Sequence, residues 1–135
     1  MSSGGVVRSL FSAFNDGDFE RLQGLVGPDA AVRQPLPDVG LPAASRFGGT
    51  YTGPREIAGV AKRLHDELGG ARLELRGLEE NGPAVLVEFM ALIGPADERS
   101  ALLGWGVLQV ENGKLAKSEA FPSEESARRA YERVA

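Results

Sequence analysis

Few side chains in this sequence could do acid–base chemistry. His65 is the single histidine among 135 residues, and it is the natural candidate for proton transfer near neutral pH. It follows Leu64 at the edge of an apolar helical stripe, where a boundary histidine that bonds water or a neighbour is the competing interpretation. Gln34 is the second weak candidate, because an amide can bond a carbonyl or a hydroxyl although it cannot take a proton.

The sequence carries no signature of a metal or cofactor site. It contains no cysteine, which excludes a thiolate nucleophile and a cysteine-based zinc site. No cluster of His, Asp and Glu has the spacing of metal ligands, and no glycine-rich phosphate loop precedes a helix. We therefore predict neither a metal nor a cofactor.

Three consecutive strands organise the chain, and they are predicted over Ala84–Ile93, Arg99–Glu111 and Lys114–Ala120. Asn112-Gly113 separates the last two and is the strongest short-range hairpin signal, because both residues tolerate a positive φ. All three strands are too apolar to be exposed on both faces. Helices must therefore cover them.

Further strands are predicted on the N-terminal side. Ala71, Leu73 and Leu75 alternate with charged residues, as in a half-buried strand, and Gly77 then breaks the alternation as a bulge does. Shorter strands are expected at Ala30–Gln34 and Thr50–Thr52. The irregular stretch Pro35–Gly49 is long for a plain connection, and such loops are often binding loops or lids.

Apolar residues at helical spacing predict four helices. The first carries a stripe from Val6 to Phe14, so Met1–Gly5 is predicted to be a flexible leader and residues 6–135 a single domain. The second is expected to begin at Asp18 and to run through Val26 before it stops at Gly27-Pro28-Asp29.

The third helix should begin at Gly53-Pro54, and the last should be capped by Ser123. The resulting order is α-α-β-β-α-β-β-β-β-α, which indicates the α+β class. A long bulged meander curls. We therefore expect a strongly curved, mixed or antiparallel sheet that encloses a cone-shaped pocket under three helices, with the C-terminal helix in addition.

Charge and hydropathy exclude several classes of partner. The formal net charge is −4 and the basic residues are scattered, which argues against nucleic-acid binding. No signal peptide is visible, and no apolar run approaches the roughly 20 residues that span a bilayer. We expect a cytoplasmic protein that binds no membrane.

Five short motifs carry a family resemblance: Phe11-x-x-Phe14-Asn15-x-Gly17-Asp18, Pro28-Asp29-Ala30, Gly49-x-Tyr51-x-Gly53-x-x-x-Ile57, Asn112-Gly113-Lys114 and Phe121-x-x-x-Glu125-x-Ala127. Together they resemble the nuclear-transport-factor-2-like superfamily, and more narrowly its SnoaL-like branch of polyketide cyclases and ketosteroid isomerases. The resemblance implies the fold but not an activity, because this superfamily hosts enzymes and non-catalytic binders.

The resemblance also implies where catalytic groups would lie, and those positions are vacant. The general-base carboxylate of ketosteroid isomerases corresponds to Gln34, and their oxyanion-hole acid falls near Gly106. Their donor tyrosine falls near Leu10 or Phe11. The Arg–Asp–Asp set of limonene epoxide hydrolases has no counterpart, so neither known chemistry is expected.

Strand alternation assigns the two faces of the sheet, with Gln34 taken as inward. The predicted ligand-binding residues are Phe11, Phe14, Val32, Gln34, Tyr51, Leu64, Val87, Phe89, Gly104, Gly106 and Leu108. The outward face is also apolar, which predicts a homodimer contact. Its predicted residues are Leu86, Glu88, Met90, Trp105 and Val107.

Gly104 and Gly106 remove two side chains from the inward face. They could leave room for a ligand or admit a closely packed helix side chain. The leading hypothesis is a binder of an apolar small molecule that is aromatic, polyketide-like or terpenoid. Two alternatives remain, namely a cyclase or isomerase that does acid–base chemistry next to a carbonyl, and a dimerising interaction domain with a filled core.

Overall fold

The structure is a computed structural model that describes residues 1–34 and 48–135. That part of the chain forms helices α1 (Ser3–Asp16), α2 (Phe19–Gly24), α3 (Pro54–Glu67) and α4 (Glu124–Val134) and strands β1 (Val26–Gln34), β2 (Gly49–Thr52), β3 (Ala71–Asn81), β4 (Ala84–Ile93), β5 (Ser100–Glu111) and β6 (Lys114–Phe121). The element order and the α+β class are confirmed. The predicted loop Pro35–Gly49 lies outside the described residues up to position 47, and Gly49 already belongs to β2.

The six strands form one curved, unclosed sheet in the order β2-β1-β6-β5-β4-β3. Only the β1–β6 pair is parallel, and every other pair of neighbours is antiparallel. The register shifts between Leu75 and Gly77, so the bulge predicted at Gly77 is confirmed. A second shift lies between Gln109 and Val110. Bulges of this kind bend the strands and curve the sheet.

The predicted flexible leader Met1–Gly5 is wrong, because α1 already begins at Ser3. Ser2 caps the helix by accepting a hydrogen bond from the Gly5 amide at 3.0 Å. The Glu80 carboxylate accepts from the Gly4 amide at 2.8 Å. Gly4 is buried there, where an added methyl group would lie 3.1 Å from Leu78. The first turn is therefore fixed to β3.

The C-terminal end of α1 is fixed to the same strand. The Asn15 amide donates to the Leu73 carbonyl at 2.8 Å and accepts from the Leu73 amide at 2.7 Å. Because β3 is the edge strand, these two bonds pair backbone groups that no neighbouring strand reaches. Gly17 then ends the helix, with a φ of 67°.

The boundary between α2 and β1 differs from the prediction. The helix ends at Gly24, so the predicted helix through Val26 was wrong. The predicted strand Ala30–Gln34 is confirmed, but β1 begins four residues earlier, at Val26. The cause is tertiary, because Val26 pairs with Leu115 of β6 and the Leu115 amide donates to the Leu25 carbonyl at 2.8 Å. Pairing with a distant strand here overrides the local helical pattern.

Helix α4 covers part of the outer face of the sheet. Leu86 and Val107 are each 5% exposed and pack against Ala127 and Ala130. Their assignment to a dimer contact was therefore wrong, because the chain's own amphipathic helix buries them. Ser123 caps α4 as predicted.

An ion pair between Arg128 and Glu79 ties α4 to β3, with its closest N–O contact at 3.0 Å. This hydrogen-bonded guanidinium lowers the pKa of the Glu79 carboxyl. No helix in the described residues is long and apolar enough to cross a membrane.

Candidate functional site

An apolar cavity of about 510 Å³ lies between the concave face of the sheet and helices α1–α3. Its wall combines aliphatic and aromatic side chains from these helices and from β1, β3, β4, β5 and β6. Ten of the eleven residues predicted from the sequence lie along it: Phe11, Phe14, Val32, Gln34, Leu64, Val87, Phe89, Gly104, Gly106 and Leu108.

Tyr51 is the exception, and its assignment to the cavity wall was wrong. It pairs with Val32 across the β1–β2 ladder and packs against the main core. Cross-strand partners share a face of the sheet, so Tyr51 faces the same side as Val32 but stands one strand further out, on the edge strand β2.

His65 is also outside the cavity wall. Its Nε2 atom lies 2.8 Å from the Phe14 carbonyl oxygen, and its ring centre is 4.7 Å from that of Phe14 and 5.3 Å from that of Phe19. A carbonyl only accepts, so Nε2 carries the proton and donates it. His65 thus joins α3 to α1 as a boundary histidine, and its candidacy for catalysis fails on position.

The two wall glycines differ in their surroundings. A methyl group added at Gly104 would lie 2.8 Å from the ring of Phe89, so that glycine makes room for an aromatic side chain of the neighbouring strand. From the sequence, either a ligand or a helix side chain was expected to occupy this space. Phe89 in turn meets Phe11 edge to face, with 6.2 Å between ring centres. A methyl group added at Gly106 would lie 3.3 Å from a methyl carbon of Val87.

Among the described residues, four polar ones border the cavity: Arg33, Gln34, Ser118 and Glu119. The sheet register separates them. Ser118 lies opposite Leu108 and Val32, which face the cavity, whereas Glu119 lies opposite Val107 under α4. Arg33 is opposite Glu119 on β1, and the two side chains form an ion pair at 3.6 Å. Their charges therefore lie on the outer side, and Gln34 and Ser118 point inward.

The inward polar groups can hydrogen-bond a ligand but do not transfer protons at neutral pH, since neither an amide nor a serine hydroxyl titrates there. Within residues 1–34 and 48–135, no three His, Asp or Glu side chains come together as metal ligands do. The arrangement can desolvate an apolar molecule and orient it through hydrogen bonds.

Ser118 is the wall residue of interest that sequence reasoning missed. Lys117 and Glu119 flank Ser118 on β6 and are charged residues at alternate positions of the strand. Strict alternation then places Ser118 on the opposite, inward face, which would have identified it.

Comparison with known proteins gives one family and a consistent set of folds. Residues 7–118 match the sequence profile of the family described as SnoaL-like domain. No curated protein sequence matches the chain.

Three solved structures illustrate the structural similarity. TerC, which was co-crystallized with polyporic acid, has a TM-score of 0.73 and 21% identity over 96% of this chain and 98% of its own. An NTF2-like protein of unknown function from Burkholderia pseudomallei has a TM-score of 0.73 and 22% identity over 97% and 98%. An LEH-like epoxide hydrolase from M. tuberculosis has a TM-score of 0.68 and 19% identity over 97% and 90%. Likeness at these identities shows the fold alone.

Proposed function

The chain belongs to the SnoaL-like domain family, and on that premise we propose that it binds a small, largely apolar molecule in the cavity of its concave face. The cavity itself carries the proposal. Its volume of about 510 Å³ falls within the range of about 300–1,000 Å³ that ligand pockets occupy. A core filled by side chains, as the interaction-domain alternative requires, would leave no such space.

The wall favours a flat, aromatic ligand. Phe11 and Phe89 offer ring edges and faces, and the small residues Gly106 and Ala120 lie opposite one another on β5 and β6. Burial of apolar surface there contributes about 25 cal/mol per Å². The co-crystallization of TerC with polyporic acid supports aromatic ligands as the first class to test.

The alternative of a cyclase or isomerase has less support from the described residues. Abstraction of a proton next to a carbonyl needs a base within hydrogen-bond reach of the substrate. His65 donates to the Phe14 carbonyl instead, and the Glu119 carboxylate pairs with Arg33 on the outer side. These placements favour binding over proton transfer.

Gln34 provides the first test of the proposal. The neutral fluorescent probe N-phenyl-1-naphthylamine should bind to the wild-type protein with an increase in fluorescence. Gln34→Leu should weaken this binding roughly fivefold, because a buried amide hydrogen bond is worth about 1 kcal/mol. Gln109→Leu makes the same change on β5 away from the cavity wall and should leave the affinity unchanged. Equal affinities for Gln34→Leu and the wild type would contradict the role of Gln34.

We also propose that a second copy of this chain covers the part of the outer face that α4 leaves open. Leu103 is 41% exposed there and pairs with Met90 across β4 and β5, beside the Glu88–Trp105 pair. The same face carries the Glu88 carboxylate and the Arg76 guanidinium, which contacts Glu74 at 3.6 Å. In a two-fold contact through this face, Glu88 of one copy can lie opposite Arg76 of the other.

Sedimentation equilibrium tests this dimer. The wild type should have twice the mass of the chain. Leu103→Glu should weaken association at least about tenfold, because it places a carboxylate in an apolar contact. Val134→Glu, at a position that is 38% exposed on α4, is the matched control and should remain dimeric. A monomeric wild type would rule out the dimer.

A further inference from the structure

The hydroxyl group of Ser118 is a polar group set into the apolar wall of the cavity. Ser118 lies on the parallel seam between β1 and β6, where its cross-strand partners are Val32 and Leu108. Its residue is half-buried, and within residues 1–34 and 48–135 its hydroxyl has no hydrogen-bond partner. A ligand that covers this hydroxyl without bonding it would leave the hydroxyl buried and unpaired, so the site favours a ligand that offers it a hydrogen bond.

The surroundings of Ser118 also determine what charge a ligand can carry. Arg33, the nearest cationic residue on β1, is 65% exposed and is paired with Glu119 on the outer side of the sheet. In the described part of the wall, no cationic side chain is directed inward to balance an anion. Burial of an unpaired carboxylate is far more costly than burial of a neutral oxygen, so the wall discriminates against anionic ligands.

The strand geometry gives the distance between the Ser118 hydroxyl and the part of the wall formed by Gly106 and Ala120. Gly106 and Ala120 lie opposite each other, one inward position further along from Leu108 and Ser118. Inward positions on one strand are about 7 Å apart. A ring that rests on Gly106 and Ala120 therefore brings an oxygen substituent at its end to Ser118.

Building on the proposed function, we infer that Ser118 determines specificity at this site. The ligand is a neutral aromatic molecule whose terminal ketone or phenol oxygen bonds the Ser118 hydroxyl. The hydroxyl donates to a ketone and accepts from a phenol, so both oxygens satisfy it.

Displacement of bound N-phenyl-1-naphthylamine by four related compounds tests this inference. The set is naphthalene, 2-naphthol, 2-acetonaphthone and 2-naphthoate. In the wild type, 2-naphthol or 2-acetonaphthone should bind about tenfold more tightly than naphthalene. 2-Naphthoate should bind at least about tenfold more weakly than whichever of 2-naphthol and 2-acetonaphthone binds more tightly.

Ser118→Ala should abolish the advantage of the oxygen compounds over naphthalene while the affinity for naphthalene itself is unchanged. Ser118→Thr keeps the hydroxyl and should retain the advantage, which separates a hydrogen-bonding role from a purely structural one. Ser12→Ala, at an exposed position of α1, is the control and should behave as the wild type.

Two outcomes would overturn the inference, and they are distinguishable from failure of the proposed function. If Ser118→Ala keeps the wild-type preference, or if 2-naphthoate binds as well as 2-naphthol, the assignment of Ser118 is wrong although the cavity binds ligands. If neither the probe nor any of the four compounds binds the wild type, the proposed function and this inference both fail.

Discussion

Replacement of Ala120 by Phe should weaken binding of N-phenyl-1-naphthylamine roughly 70-fold. Ala120 lies on the cavity wall opposite Gly106, so the side chains of this cross-strand pair are no larger than a methyl group. A phenyl ring placed there displaces about 100 Å² of ligand contact, and at about 25 cal/mol per Å² this costs about 2.5 kcal/mol of binding free energy. Fluorescence titration measures the change.

The control for this variant is Ala101→Phe, the same substitution at an exposed position of β5. Inward and outward residues alternate along β5, and Ala101 is out of phase with the inward residues Gly104 and Gly106. It should bind the probe as the wild type does. Thermal unfolding of both variants checks that the fold is retained. A folded Ala120→Phe protein with wild-type affinity would show that the probe binds elsewhere.

Replacement of Asn15 by Leu should lower the free energy of unfolding by about 2 kcal/mol, since each of its two bonds to Leu73 is worth about 1 kcal/mol. The leucine has a similar size but leaves the Leu73 amide and carbonyl without their partner. Urea denaturation measures the loss, and the probe affinity of the remaining folded protein should change little because Asn15 does not line the cavity.

Asn81→Leu makes the same chemical change at an exposed residue of β3 and serves as the control. Its effect on stability should stay within about 0.5 kcal/mol, as is usual for surface substitutions. If Asn15→Leu were no more destabilising than Asn81→Leu, the two bonds to the edge strand would carry no net stability.

The long C-terminal strands could be read directly from the sequence because local chemistry determines them. β4 has the predicted bounds, and Gly113 has the positive φ of 74° that the Asn-Gly turn requires. The bulge at Gly77 follows from a local break in alternation. Inward and outward positions on β4 and β5 then follow from a period of two, which is why most of the cavity wall was identified.

Features that depend on distant partners could not be read in this way. The end of α2 is set by Leu115 of β6, and the burial of Leu86 is set by α4, which an apolar strand pattern does not reveal. Tyr51 is an aromatic residue of the kind that lines cavities, but only the strand order shows that β2 is an edge strand of the sheet. Contacts between residues that are distant in sequence determined each of these outcomes.

The parallel β1–β6 seam has a consequence for how the chain is made. Val26 pairs with Leu115, and Arg33 pairs with Glu119. Strand β1 is synthesised first, but it can pair with β6 only after β6 has left the ribosome. Until then the cavity lacks one side of its wall, and its apolar residues are exposed to water and to other nascent chains. Contacts this remote in sequence slow folding, so the β1–β6 pair is expected to form later than the antiparallel pairs of neighbouring strands.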